Sequence, residues 1–175
     1  MKGTTHLIIG ALIGVHLVQP DQPLTMLATG TICAVAALLP DVDHPKSILR
    51  RRSGILGHAL FSRLTHRGFT HSVTALVLVA LASLLIDARF APAIAAGYAS
   101  HLCADMLTKH GIALFAPFAP RRMGLGLIST GGLAEQGIAM LAFIVLLLTL
   151  FPFDPLRTLD FIGQIMDHGD CVLCI

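Results

Sequence analysis

Nine residues of this chain have the chemistry of metal ligands and recur at the ends of apolar segments: His6, Asp41, Asp43, His44, His66, His71, His101, Asp105 and Glu135. His101 and Asp105 are four apart, so on a helix they stack on one face and can converge on one ion. Asp41 and Asp43 follow Pro40 in "LPDVDHP". In an extended stretch, residues two apart point the same way, and His44 adds an imidazole beside Asp43. His66 and His71 bracket Gly68 in "THRGFTHS", where a glycine permits the turn that would bring both inward. Imidazole with carboxylate suits zinc, with manganese or iron as alternatives. Any one such residue could instead be a satisfied structural group. The case for a site is that all nine fall at one depth.

The elements that must position them are apolar. Of 175 residues, 55% are hydrophobic and 13% charged, against about 25% charged in a soluble domain. Five apolar segments stand out, Leu7–Val18, Leu24–Leu39, Val73–Ile86, Ala91–Leu107 and Gly137–Phe153. They predict an all-α, polytopic membrane bundle of about five helices over 1–153, followed by a short tail, 154–175. If all five cross, ten of the twelve Lys and Arg residues share the side of the N-terminus, 40–71 and 108–136. A basic excess in short loops marks the cytoplasmic face. The expected location is therefore a bacterial inner membrane, with the ligand residues at the cytoplasmic helix ends.

Nine ligands exceed one tetrahedral ion and suit two Zn2+ ions, which together can activate water and stabilise both oxygens of a phosphoester displacement. Asp43 is the expected bridge, and Glu135 the alternative general base, because a carboxylate beside a bound water can take its proton. Arg67, Arg121 and Arg122 are the expected grip on an anionic substrate. Within 66–72, Ser72 is expected to cap the third helix and Phe69 to point into the bundle. The partners expected are membrane lipids and a phosphoester or lipid substrate, with no nucleic acid. A metal or ion transporter is the competing class, since intramembrane carboxylates and histidines mark ion paths; a membrane protein with a purely structural metal is the third. Cys33 and Cys103 read as small buried residues, and Cys171 with Cys174 form a C-x-x-C in the tail whose role spacing does not decide.

"LPDVDHPKS", "HRGFTHS", "SHLCADMLT" with the following "GI", and "RRMGLGLISTGGLAEQ" together resemble the YdjM-like inner-membrane proteins over about residues 3–150. The resemblance implies a membrane-bound, metal-dependent hydrolase, in part associated with the LexA-controlled SOS response. Lys109-His110 replaces the usual proline after the "DMLT" threonine, and Gly132 stands where a serine is common. A more distant similarity, in ligand type and order, is to the zinc-dependent phospholipase C and single-strand nuclease group, and it implies phosphoester hydrolysis.

Overall fold

The computed structural model describes residues 1–19, 21–43, 68–119 and 121–152, with Asp43 described by its backbone alone. Among these residues five α-helices run in chain order: α1 (Gly3–Val15), α2 (Pro23–Ala36), α3 (Val73–Ile86), α4 (Ala91–Met106) and α5 (Leu133–Leu150). Short 3-10 turns at Pro40–Asp43 and Phe69–His71 follow α2 and precede α3. No strand occurs among the described residues, so the all-helical expectation holds.

The element bounds have local causes. Pro23 opens α2 at a position where its missing N–H costs nothing. Ser72 caps α3 by accepting the Ala75 N–H at 3.1 Å, the role the sequence suggests. Pro40 redirects the chain into a 3-10 turn, so α2 ends at Ala36 rather than Leu39. α1 starts at Gly3, ahead of the apolar run, because the Lys2 carbonyl already accepts from Thr5 and His6.

Length separates the helices. α5 has 18 residues and a mean hydropathy of 2.1, and among the described residues it alone is long and apolar enough to cross a membrane. The helices of 13 to 16 residues measure about 20–24 Å, short of the ~30 Å of a bilayer core. Five helices are present among the described residues; five full spans are not established by their lengths.

α1, α2 and α4 form the inner part of the bundle, and their contact is set by small residues. A Cβ added at Gly97 of α4 would lie 2.2 Å from the Cys33 carbonyl of α2. One added at Gly14 of α1 would lie 2.6 Å from the Cys33 Cβ. Such seams let backbones approach closely where lipid gives no hydrophobic drive for association. α3 and α5 lie outside, and α3 packs on α4 through Ala75, Tyr98, Leu102 and Ile112.

Between α4 and α5 the chain folds over the helix ends. Ile112 and Met123 exchange backbone hydrogen bonds of 2.9 and 2.8 Å, closing a hairpin-like excursion. Leu125 and Leu127 donate to the Met106 and Leu107 carbonyls, which satisfies the last carbonyls of α4. Gly111, at φ 60°, lies so close to Met123 that a Cβ there would meet its carbonyl oxygen at 2.6 Å.

Candidate metal centre

The inner helices bring five of the nine ligand residues together. His6 sits in the first turn of α1, Asp41 in the turn after α2, His71 in the turn before α3, and His101 and Asp105 in the last two turns of α4. His6, His71, His101 and Asp105 are 0–1% exposed. Asp41 is the open side of the group, its side chain 28% exposed.

His101 is oriented from behind. Its Nδ1 lies 2.7 Å from the Ala37 carbonyl, and a carbonyl can only accept, so Nδ1 carries the proton and Nε2 keeps its lone pair. A backbone acceptor behind a ligating imidazole fixes tautomer and ring direction in this way. From His101 Nε2 it is 3.2 Å to His71 Nε2, and 3.9 Å to both Asp41 Oδ1 and Asp105 Oδ2. His71 Nε2 lies 3.4 Å from Asp41 Oδ1 and 3.9 Å from Asp105 Oδ2. Two nitrogens bound to one tetrahedral zinc at 2.0–2.1 Å stand about 3.3–3.4 Å apart, so the His71–His101 separation is that of neighbouring ligands.

A hydrogen bond between those two imidazoles would give the same distance, so His6 is the more telling residue. It is 1% exposed and stacks on His101 with ring centroids 3.7 Å apart. Among the described residues neither of its ring nitrogens makes a well-aligned hydrogen bond; Nε2 stands at ion-pair distance, 3.3 Å, from Asp105 Oδ1. A buried polar group without a hydrogen bond costs roughly 1–3 kcal/mol; a cation accepting the lone pair removes that cost. Two overlapping triads, His6–Asp41–His101 and His71–His101–Asp105, each keep their ligand atoms within 4.8 Å of one another. The donor set therefore fits a divalent cation.

Charge is arranged to match. Burial alone would raise the Asp41 carboxyl, but His71 beside it and the imidazoles of His101 and His6 more than offset this and hold it at about 2. The terminal amine of Met1 contacts Asp105 Oδ1, and Tyr98 donates to the Thr70 carbonyl, fixing the turn that carries His71.

The remaining candidates fall elsewhere. Glu135 is buried, but its carboxylate lies in neither triad. Its oxygens accept from the Lys2 N–H, from the Thr5 hydroxyl at 2.9 Å and from the Gly131 N–H, clasping the start of α5 to the start of α1. Arg121 and Arg122 are exposed on the excursion between α4 and α5. The Asp43 side chain, His44, His66 and Arg67 lie outside the described residues, as do the tail and its Cys171 and Cys174. Phe69 does not enter the bundle; it is 37% exposed, because the 3-10 turn spends its inward position on His71. Cys33 is buried as expected, whereas Cys103 is exposed, on the side of α4 away from α1 and α2. Tyr98 and the Ala37 carbonyl support the site, and Thr5 the Glu135 clasp, without having marked themselves in sequence.

A family model described as YdjM inner membrane protein matches residues 1–156. The inner membrane proteins YdjM of Escherichia coli (strain K12) and Shigella flexneri are each 38% identical over 119 residues, 63% of this chain. The chain spans 60% of the length of those relatives. The protein YvsG of Bacillus subtilis (strain 168) is 35% identical over 141 residues, covering 78% of this chain and 86% of that protein. No solved structure matches. With the family model covering all five helices, the chain belongs to the YdjM family of inner membrane proteins.

Proposed function

We propose that this protein is a multi-pass inner-membrane hydrolase that uses a divalent metal ion, zinc by ligand type, to cleave a phosphoester at the cytoplasmic face. The observation that carries the metal is His6, an imidazole sealed in the bundle beside two carboxylates and two further imidazoles, with no well-aligned hydrogen bond at either nitrogen among the described residues. When bound, the cation would acidify a water and polarise a phosphoester oxygen.

The protein groups divide the remaining work. His101, held by Ala37, and His71, held by its turn, fix the ligand geometry. Asp105 balances charge from the closed side. Asp41, alone partly exposed, completes the ligand set on the side from which water and substrate would arrive. Both triads draw on His101, whose Nδ1 is committed to Ala37, and a single lone pair serves one ion. The described ligands therefore suit one cation, and a second would draw on Asp43, His44 and His66. Arg121 and Arg122 carry exposed guanidiniums suited to an anionic substrate. A transport site would lie near the midplane on broken helices; these ligands lie in the terminal turns of α1 and α4.

Metal analysis of the purified protein, with a panel of soluble and lipid phosphoesters, tests the reading. Roughly one equivalent of metal is expected on the intact chain, with most of it lost in His71→Ala and Asp105→Asn and with hydrolysis lost in parallel. Protein that carries no metal, and whose melting temperature ignores chelators and added zinc, would remove the metal. Metal binding without hydrolysis, combined with zinc flux in proteoliposomes, would transfer the site to transport.

A further inference from the structure

The excursion between α4 and α5 buries Ile112, Ala113 and Ala116 and turns its phenylalanines and several leucines outward. Ile112, Ala113 and Ala116 are 0–6% exposed and pack on the helix ends. Phe115, Phe118, Leu125 and Leu127 are 50%, 86%, 63% and 69% exposed. This is the reverse of a surface loop in water, where large apolar side chains are the ones hidden. It is also a built surface. Hydrogen bonds of Ile112 with Met123, of Ala119 with Phe115, and of Leu125 and Leu127 with the end of α4 hold it in one shape.

Its charge is one-sided. From 106 to 134 the sequence carries Lys109, Arg121 and Arg122 and no aspartate or glutamate. Arg121 and Arg122 follow the aromatic tip and are exposed. The excursion starts three residues after Asp105, whose backbone carbonyl accepts from the Thr108 hydroxyl at 2.7 Å. It therefore lies at the metal end of the bundle, where short basic loops mark the cytoplasmic leaflet.

We infer that residues 112–127 form a seat for anionic phospholipid, with Phe115, Phe118, Leu125 and Leu127 entering the acyl boundary and Arg121 and Arg122 holding headgroup phosphates. Apolar side chains interleaved with guanidiniums are the composition of an interfacial element, and basic residues beside a membrane are drawn to its anionic lipids. The seat is distinct from the metal ligands and does not require them. It fixes the depth of the bundle end in the leaflet.

The chain has no tryptophan, so Phe118→Trp places a single fluorescent reporter at the tip. The full-length variant is reconstituted into phosphatidylcholine vesicles containing phosphatidylglycerol, and its emission is quenched by acrylamide or by brominated lipids. Lipids brominated near the headgroup should quench strongly, those brominated near the bilayer centre weakly, and acrylamide much less than it quenches free tryptophan. Brominated phosphatidylglycerol should quench more than brominated phosphatidylcholine at equal mole fraction. Replacing Arg121 and Arg122 by Gln should lower that preference by about fivefold for each guanidinium removed. Free access of acrylamide without lipid quenching would mean a water-facing loop. Protection from both quenchers would mean cover by protein, whether residues 44–67 or a second copy. Either result overturns the proposal. Leu125→Trp gives a second reporter, and metal content read on the same samples keeps the fate of the metal centre separate.

Discussion

Along α1, α2 and α4 the meeting surfaces are Gly10, Gly14, Gly30, Cys33 and Gly97, whereas α3 and α5 present Leu78, Leu81, Leu85, Leu141 and Leu148 to the outside, each more than half exposed. α4 buries nine of its 16 residues; α3 and α5 bury two each. All five helices read as apolar in sequence. In water that would suggest five buried helices, but in lipid an apolar side chain gains nothing by leaving the acyl chains for the protein. What draws a helix inward is the ability to let another backbone come close. The ligands ride mostly on the inner helices for the same reason, since a site needs carriers whose separations cannot drift.

This contrast can be broken by substitution. The largest effect is expected at Gly97, where a Cβ would stand 2.2 Å from a backbone oxygen that cannot move without moving α2. Gly97→Ala should cost about 3 kcal/mol, the upper end for overpacking, and should reduce metal content, because the shift carries the Ala37 carbonyl away from His101. Denaturant unfolding in mild detergent measures it, and a stability within error of the parent would mean the seam is loose. Glu135→Gln comes next. Weakening the carboxylate that three donors address should cost roughly 1–3 kcal/mol while metal remains bound; loss of the metal at full stability would instead return Glu135 to the ligand set. Ser72→Ala removes the cap of α3 and should cost about 0.5–2 kcal/mol without altering metal content. Smallest of all, Leu85→Ala, at a side chain 90% exposed, should stay within ~0.5 kcal/mol. A larger loss there would show that the outer face is covered by something other than lipid.

Much of the fold was legible. The Val73–Ile86 helix has the expected bounds, since Ser72 before it and Asp87 after it punctuate the apolar run. α1 and α5 begin about four residues before their apolar segments, because hydropathy does not register the Gly3–Thr5 and Leu133–Gln136 turns, which are held by hydrogen bonds to Lys2 and Gly132. The convergence of His6, Asp41, His71, His101 and Asp105 could be anticipated from their shared depth. That Glu135 serves a clasp could not, since two of its partners, the Lys2 N–H and the Thr5 hydroxyl, come from the far end of the chain and the third is the local Gly131 N–H. Nor could the pairing of Ile112 with Met123, which depends on Gly111 and Gly124 passing in contact.

The candidate metal centre joins the first turn of α1 to the last turn of α4, so its ligand residues are 99 positions apart at the extremes, from His6 to Asp105. At the usual 5–20 residues per second of synthesis, about 5–20 s separate the emergence of the first ligand from the last. During that interval α1 and α2 can already pair through Gly10, Gly14 and Gly30, with His6 left facing an incomplete bundle. Loading of an ion at the candidate centre would then be a late event in biogenesis, and a chain arrested before α4 would hold its glycine-lined hairpin without His101 and Asp105.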